Sequence, residues 1–243
     1  MIKYFITEQG IRIPAISTGQ MIEVDRIAIE ETGPNLFQMM ENAGRNLALV
    51  AMDMLGNKWE DAIIVVLAGT GGNGGGGICA ARHLANRNIN TTLCITDKNK
   101  LGDVPSLQRK IYQSTIGKEI EIENLKKLKP DLIIDAIIGY SLKSAPRGKA
   151  LKMINWASQQ KAKILSLDVP SGVDSTTGKT YGEFIKADRT LTLALPKTGL
   201  LPELTGDLFL ADIGIPGKVY EKIGISYINP FGKRFFTRLK ILS

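Results

Sequence analysis

Histidine and cysteine are almost missing from this sequence, which contains one histidine and two cysteines among 243 residues. A single imidazole, that of His83, cannot build a histidine-based zinc cluster, and it argues against a Ser–His–Asp triad. Cys79 and Cys94 both lie within apolar runs, where cysteine usually serves as a small buried hydrophobe. We therefore expect no disulfide framework, and we expect a reducing compartment.

Long apolar runs are also lacking. No segment approaches the roughly 18 apolar residues that a membrane-spanning helix needs. The apolar stretch at the N-terminus is too short for a secretory signal, and Glu8 interrupts it. We therefore expect a cytoplasmic protein without a membrane partner. The composition, 44% hydrophobic and 23% charged, is typical of a globular chain, and the length favours one α/β domain over residues 1–243.

Acidic residues are outnumbered by basic ones, 24 against 31, which gives a formal net charge of +7. A positive field attracts phosphates, whether of a nucleotide or of a nucleic acid. The densest basic segment, 233–240, interleaves basic residues with two phenylalanines, a pattern that also binds single-stranded nucleic acid. We favour a terminal strand or helix with a solvated basic face, and we do not expect a nucleic-acid partner.

The apolar pattern changes its period along the chain. Capping boxes at Ser17 and Asn35 predict two N-terminal helices. Short continuous apolar runs then alternate with helical stretches, as in a parallel sheet that is covered on both faces. The sequence therefore predicts a doubly wound, mostly parallel α/β sheet with helices on both faces. The predicted strands are 62–68, 91–96, 132–134, 162–167, 189–195 and 208–211, and the later helices are 78–86, 106–114 and 150–159.

Three loops at strand ends carry unusual residues, and ligands bind at this edge of such sheets. The first, 69–77, has seven glycines in nine positions, so its backbone amides could approach a phosphate at the start of the next helix. The second and third begin at Asp135 and Asp168. Each carboxylate ends a buried strand, where it must be paired, hydrogen-bonded or bound to a cation. Pro170 stiffens the third turn, and Ser171 adds an oxygen; without a nearby histidine we do not expect a serine nucleophile.

The first loop also fits the dinucleotide-binding pattern Gly-x-Gly-x-x-Gly at Gly69, Gly71 and Gly74. Asp97 closes the next strand, where a ribose-binding acid would be expected. An NAD-dependent oxidoreductase is therefore an alternative function. It leaves the segments 42–44 and 168–171 unexplained.

Five segments, taken together, resemble the YjeF N-terminal domain family in order and spacing: 39–45, 69–84, Asp135-x-x-x-Gly139, 168–174 and 211–216. The resemblance extends over most of the chain and implies that family's Rossmann-like fold. Active members of the family are isomerases, NAD(P)HX epimerases. They interconvert the R and S forms of hydrated NADH or NADPH, so that a dehydratase specific for S can restore the cofactor. The resemblance thus implies conversion of (R)-NAD(P)HX to (S)-NAD(P)HX in metabolite repair.

The resemblance also implies a site, carried over motif by motif. A potassium ion would be bound by Asn73, Asp135 and Ser171, and Asp168 would be the acid/base. A cation held by oxygen atoms would explain why these loops converge. The implied substrate-binding residues are Gly72, Asn73, Gly74, Gly75, Gly76, Gly139, Tyr140, Ser141, Leu142, Lys143, Ser144, Ala145 and Asp168.

The chain departs from the family pattern in two loops. The family usually has Asn and Asp where this chain has Gly72 and Gly76, and glycine is common at Ser144. Because glycine offers an amide where Asp offers a carboxylate, we expect weaker substrate binding, with cation binding retained. The resemblance also implies a dehydratase on a separate chain and a homodimer. Since the fold occurs in RNA-decapping proteins too, a non-catalytic nucleotide- or RNA-binding scaffold stays open as an alternative.

Overall fold

The computed structural model describes residues 3–241 and is built around one sheet of ten strands. Their order across the sheet is β2-β1-β10-β9-β8-β7-β6-β3-β4-β5. Strands β3 to β9 pair in parallel, whereas β10, β1 and β2 extend the β9 edge in antiparallel orientation. The strands are β1 (Tyr4–Thr7), β2 (Arg12–Pro14), β3 (Ile63–Ala68), β4 (Asn90–Ile95), β5 (Lys118–Ile120), β6 (Leu132–Ala136), β7 (Lys163–Leu167), β8 (Arg189–Leu193), β9 (Asp207–Ala211) and β10 (Phe236–Ile241).

Helices cover both faces of the sheet, as the sequence predicts. Side chains alternate along β3, so that Ile64 and Val66 join one apolar cluster and Val65 joins another on the opposite face. Helices α1 to α4 and α7 contribute to the first cluster, and α5 contributes to the second. Within residues 3–241, none of the helices combines the length and the apolar character that a membrane span requires. The helices are α1 (Thr18–Ile27), α2 (Leu36–Leu55), α3 (Gly72–Ala85), α4 (Asp103–Tyr112), α5 (Gly148–Ser158), α6 (Pro202–Thr205) and α7 (Gly217–Lys222).

The two predicted capping boxes are confirmed. Ser17 and Gln20 cap α1 reciprocally, and Asn35 and Gln38 do the same for α2. Helix α1 runs into a π-helical turn, Ala28–Thr32. Helix α2 buries the apolar face that its spacing predicts, including Met39, Met40, Ala43, Leu47 and Val50.

Helix α3 begins at Gly72, six residues before the predicted start at residue 78. Five of the seven glycines are therefore helical, and packing explains several of them. A Cβ atom at Gly77 would lie 2.5 Å from the Ala136 Cβ, and one at Gly76 would lie 2.8 Å from the Leu167 Cδ2. Because glycine is a poor helix former, the sequence indicates a loop here, but the close approach of α3 to the sheet requires glycine.

The edges of the sheet differ most from the sequence prediction. Strands β1, β2 and β5 have three or four residues each and were not predicted. The basic C-terminal segment enters the terminal strand β10 at Phe236, and Thr237 and Leu239 of this strand are buried. Arg238 of this strand forms an exposed ion pair with Asp207, so part of its basic charge is matched by an acid of β9.

The direction of the chain across the sheet reverses between β3 and β6. From β3 the chain moves outward through β4 to β5, and it then returns to pair β6 with the other side of β3. Loops that leave two such strands in opposite directions open a crevice at the carboxyl edge of the sheet, the usual ligand site in this class of fold. The glycine-rich segment follows β3, and Asp135 lies at the carboxyl end of β6, so both are at this crevice.

Candidate active site

A cavity of about 580 Å³ lies at this crevice. Loops after β3, β6, β7 and β8 provide most of its polar lining, and α1, α2 and the π-helical turn close it with mainly apolar side chains. The polar side chains of the lining include Asp25, Asn73, Tyr140, Asp168 and Lys197.

Asp168 stands at the end of β7 in a left-handed backbone conformation, with φ at +66°. Such a conformation is uncommon outside glycine, although Asp and Asn tolerate it best. The Asp168 amide donates to the Leu191 carbonyl at 2.7 Å. The Thr192 hydroxyl and the Leu193 amide both donate to its Oδ1 at 3.3 Å. Strained residues held by their surroundings cluster at functional sites, and this one lines the cavity.

Lys197 is the partner of Asp168 and was missed by the sequence analysis. Its ammonium group forms an ion pair with Asp168 Oδ1 although the residue is 0% exposed. It also donates to the Leu193 carbonyl at 2.9 Å, and it lies 5.9 Å from the centroid of the Tyr140 ring. A buried lysine needs such a partner, but in the sequence it is one of 31 basic residues and has no motif to mark it.

A second carboxyl, that of Asp25, reaches the same cavity from helix α1. The Tyr140 hydroxyl donates to Asp25 Oδ2 at 2.5 Å. Burial raises the pKa of Asp25, while the hydrogen bond from Tyr140 and the charge of Lys197 act in the opposite direction. Burial, the charge of Asp25 and their hydrogen bond raise the pKa of the Tyr140 phenol. Asp25 was not predicted from the sequence either, because acidic residues are common on the polar face of an amphipathic helix.

Asp135 and Ser171 form a hydrogen-bonded pair behind the cavity. Ser171 donates from its hydroxyl to Asp135 Oδ1 at 2.5 Å and from its amide to Oδ2 at 2.9 Å. The Ser166 hydroxyl donates to Oδ2 at 2.8 Å, and the Ile137 amide donates to Oδ1 at 3.3 Å. Asp135 is fully buried, and this burial raises its pKa. No basic side chain appears among its hydrogen-bond partners in residues 3–241.

Asn73 supplies the unpaired polar atoms of this region. Both its Nδ2 and its Oδ1 are buried without a hydrogen-bond partner in the described part of the chain. Its side chain packs on Gly139, where a Cβ atom would lie 3.1 Å from the Asn73 Cγ. The preceding Ile138 donates its amide to the Ser171 hydroxyl at 2.9 Å. Asn73 therefore packs on the residue that follows Ile138, and the Ser171 hydroxyl bound to Ile138 also donates to Asp135. An unsatisfied amide oxygen, a buried carboxylate and a hydroxyl are the kind of oxygen donors that bind an alkali or alkaline-earth cation.

The remaining predicted substrate-binding residues divide into two groups. Those that line the cavity are Gly72, Asn73, Gly76, Gly139, Tyr140, Ser141 and Asp168. Those outside the lining are Gly74, Gly75, Leu142, Lys143, Ser144 and Ala145. Gly74 is pressed against the Gly69 backbone and Gly75 against the Met40 side chain. Close packing therefore explains these two glycines without a ligand.

A second polar cluster joins α2, α3 and α4, away from the cavity. Glu41, Cys79 and His83 lie close enough to hold a metal ion. However, the Arg82 guanidinium occupies the centre of this group, at 2.5 and 2.6 Å from the two Glu41 oxygens and 3.2 Å from the His83 ring. Burial raises the pKa of the Cys79 thiol to about 12, which opposes a thiolate ligand. The cluster is an ion-pair network that fixes three helices together.

Asp97, the candidate ribose ligand of an oxidoreductase, has local partners instead. Its side chain accepts a hydrogen bond from the Asn99 amide and pairs with Lys100 at 3.2 Å. It is absent from the lining of the cavity. The geometry therefore gives no support to the oxidoreductase alternative.

The fold and the site together define an α/β protein with two carboxyls and a buried lysine at a topological switch point. The chain matches the model of the family described as YjeF-related protein N-terminus over residues 36–199. It belongs to this family, as its motifs predict.

Known proteins with similar sequences and structures agree with this assignment. The chain is 46% identical over 236 residues to an NAD(P)H-hydrate epimerase of Dehalogenimonas lykanthroporepellens, across 97% of this chain and 96% of that protein. It is 35% identical to a bifunctional NAD(P)H-hydrate repair enzyme Nnr of Salinibacter ruber, where it spans 42% of that longer protein. The crystal structure of the yeast protein ynu0 has a TM-score of 0.80 and 22% identity, and the match covers 92% of this chain and 99% of that one. The last likeness supports the fold.

Proposed function

We propose that this chain is an isomerase of hydrated nicotinamide cofactors, which converts (R)-NAD(P)HX to (S)-NAD(P)HX in cofactor repair. The observation that carries this proposal is the cavity itself, in which the strained Asp168 and the buried Lys197 lie beside the N-terminus of α3. A relative that bears the epimerase name and matches almost the whole chain supports the same activity.

The reaction inverts one carbon of the nicotinamide ring, which carries a hydroxyl and is bonded to the ring nitrogen. Protonation of the hydroxyl lets it leave as water while the nitrogen lone pair forms a C=N bond. Water then adds to the opposite face of the flattened carbon and loses a proton. Asp168 exchanges protons with the oxygen that leaves or joins this carbon, because the residue lines the cavity and its carboxyl is fixed by Lys197. General acid–base catalysis of this kind contributes about 10²–10⁴-fold.

The start of helix α3 is suited to the phosphates of the substrate. Its N-cap residue is Gly71, which offers no capping side chain, so the first amides of the helix are not capped by it. Gly71, Gly72 and Asn73 line the cavity. Backbone amides at a helix N-terminus bind phosphate without side chains, so this part of the substrate site tolerates glycine at 72.

A potassium ion held by Asn73, Asp135 and Ser171 is part of the same proposal. When bound, it would supply a positive charge for the buried carboxylate of Asp135. The support is the buried, unpaired amide of Asn73 and the absence of a basic partner for Asp135 in residues 3–241.

The cellular setting follows from the substrate. We propose a cytoplasmic protein that forms a homodimer and whose product is the substrate of an NAD(P)HX dehydratase. The S-specific dehydratase consumes the product, which draws the epimerisation forward.

The decisive experiment is a coupled assay. The protein is added to (R)-NAD(P)HX with an S-specific dehydratase, and recovery of reduced cofactor is followed with potassium, and with sodium at the same ionic strength. We expect recovery much faster than spontaneous epimerisation, and faster in potassium. Recovery at the spontaneous rate would favour the non-catalytic nucleotide- or RNA-binding scaffold, for which binding that weakens steeply with salt would be the positive sign.

A further inference from the structure

Two carboxyls enter the cavity from different elements of the fold, and their surroundings differ. Asp168, at the end of β7, is paired with the Lys197 ammonium group. Asp25, on α1, has a neutral partner, the Tyr140 phenol, and no ion pair in residues 3–241. Pairs of acids whose environments separate their protonation states often divide acid and base roles between them.

We propose that Asp25, oriented by Tyr140, is a second acid–base group of this site and gives the proton to the departing hydroxyl, while Asp168 takes the proton from the returning water. This inference rests on the proposed epimerase function and assigns a role to a residue that the family motifs do not include.

The proton balance of the step is simple. The Asp25 carboxyl gives its proton to the substrate hydroxyl, the C–O bond breaks, and its electron pair leaves with the oxygen as water. The nitrogen lone pair forms the C=N bond. Water then adds to this carbon from the other face, and the π electrons of the C=N bond return to the nitrogen as its lone pair. The surplus proton of the added water passes to the Asp168 carboxylate. The proton returns from Asp168 to Asp25 through water before the next turnover.

The surroundings of Asp25 suit a proton donor. Burial raises its pKa, so the carboxyl keeps its proton to a higher pH than an exposed Asp does. The groups that face it are the Tyr140 phenol, the Lys197 and Asp168 charges, and the Tyr220 phenol of α7. The Tyr140 hydroxyl is placed to hold the ionised form after transfer, because it already donates to Oδ2.

The variants Asp25→Asn and Tyr140→Phe test the inference, with Glu23→Gln as the matched control. Glu23 lies on the same helix, has a side chain 45% exposed, and is paired with Arg26. Asp25→Asn is expected to lower kcat about 10²–10⁴-fold, with thermal stability close to that of the parent. Glu23→Gln is expected to retain parental kcat.

The pH profile of kcat separates a proton donor from a structural residue. A proton donor is active only while it is protonated, so kcat falls as the pH rises through the pKa of the donor. The pH profile of the parent is therefore expected to have a descending alkaline limb. Tyr140→Phe removes the hydrogen bond that lowers the pKa of Asp25, so this limb is expected to move to higher pH. The inference would be overturned if Asp25→Asn kept the parental kcat. It would also be overturned if kcat fell at the same alkaline pH in Tyr140→Phe as in the parent. An inactive parent protein would instead overturn the proposed function, and the assignment of Asp25 with it.

Discussion

Asp168 combines two features that are costly at the scale of one residue. A non-glycine residue at positive φ adds about 1–3 kcal/mol of strain, and a buried carboxylate requires a partner. Both are tolerated here because the Leu191 carbonyl fixes the Asp168 amide and Lys197 fixes its Oδ1. A purely structural turn would be relieved of this strain by glycine, so the aspartate side chain must contribute something else.

Replacing Asp168 by Asn should separate catalysis from folding. Asn has nearly the same shape and also tolerates positive φ, so the fold is expected to persist, but the loss of the buried ion pair with Lys197 is expected to lower its stability by about 3–5 kcal/mol. Because the amide cannot exchange the proton, turnover in the coupled assay is expected to fall about 10²–10⁴-fold. Urea unfolding checks the fold, and Asp207→Asn, at an exposed pair with Arg238, serves as a control. Unchanged turnover would remove Asp168 from the mechanism.

Lys197→Met tests the buried ion pair. The variant leaves the Asp168 carboxylate without its cationic partner, and breaking a buried pair destabilises by about 3–5 kcal/mol. The double variant Asp168→Asn with Lys197→Met removes both charges, so we expect it to be more stable than Lys197→Met alone. Urea unfolding of the four proteins of this cycle measures the coupling. If the two effects simply add, the pair makes no net contribution.

At the scale of the element, the sequence predicted what local pattern determines. Local sequence alone was enough to predict β3, β7 and β9 from their apolar runs and the starts of α1 and α2 from their capping boxes. Strands β1, β2 and β5 were missed because they are too short to show a period and form through pairing with other strands.

The residues of the candidate site also divide into those that the sequence predicts and those that only the fold reveals. Asp135 and Asp168 could be found because each ends an apolar strand, whereas Asn73 was predicted only by the resemblance to the family. Asp25 and Lys197 could not, since only the tertiary fold brings α1 and the turn after β8 to the cavity. Their local sequence resembles an ordinary solvated helix and an ordinary basic turn.

Helix α3 offers a test of why its glycines are present. Gly77→Ala introduces a methyl group 2.5 Å from the Ala136 Cβ, and such overpacking destabilises by about 1–3 kcal/mol. Gly72→Ala, on the same helix, has no neighbour within 4 Å of the new Cβ and is expected to leave stability unchanged or slightly higher. Chemical denaturation compares the two. Equal stabilities would mean that the close approach of α3 to the sheet does not require glycine at 77.

At the scale of the whole molecule, the site exists because the sheet reverses direction between β3 and β6. That reversal places the start of α3, the Asp135–Ser171 pair and the Asp168–Lys197 pair at one crevice. A ligand that binds several of these elements at once binds only the folded chain, so it must stabilise the molecule as a whole.

Potassium is therefore expected to raise the melting temperature of the entire protein, relative to sodium at equal ionic strength, and Asn73→Ala should abolish the difference. At a potassium concentration about 100 times the dissociation constant, the gain would be about 2.7 kcal/mol. Without potassium, Asn73→Ala should be at least as stable as the parent, because it removes a buried amide that has no partner. Differential scanning calorimetry in the two salts measures both effects. If Asn73→Ala shifted the melting temperature equally in potassium and in sodium, Asn73 would be a packing residue and not a ligand of the ion.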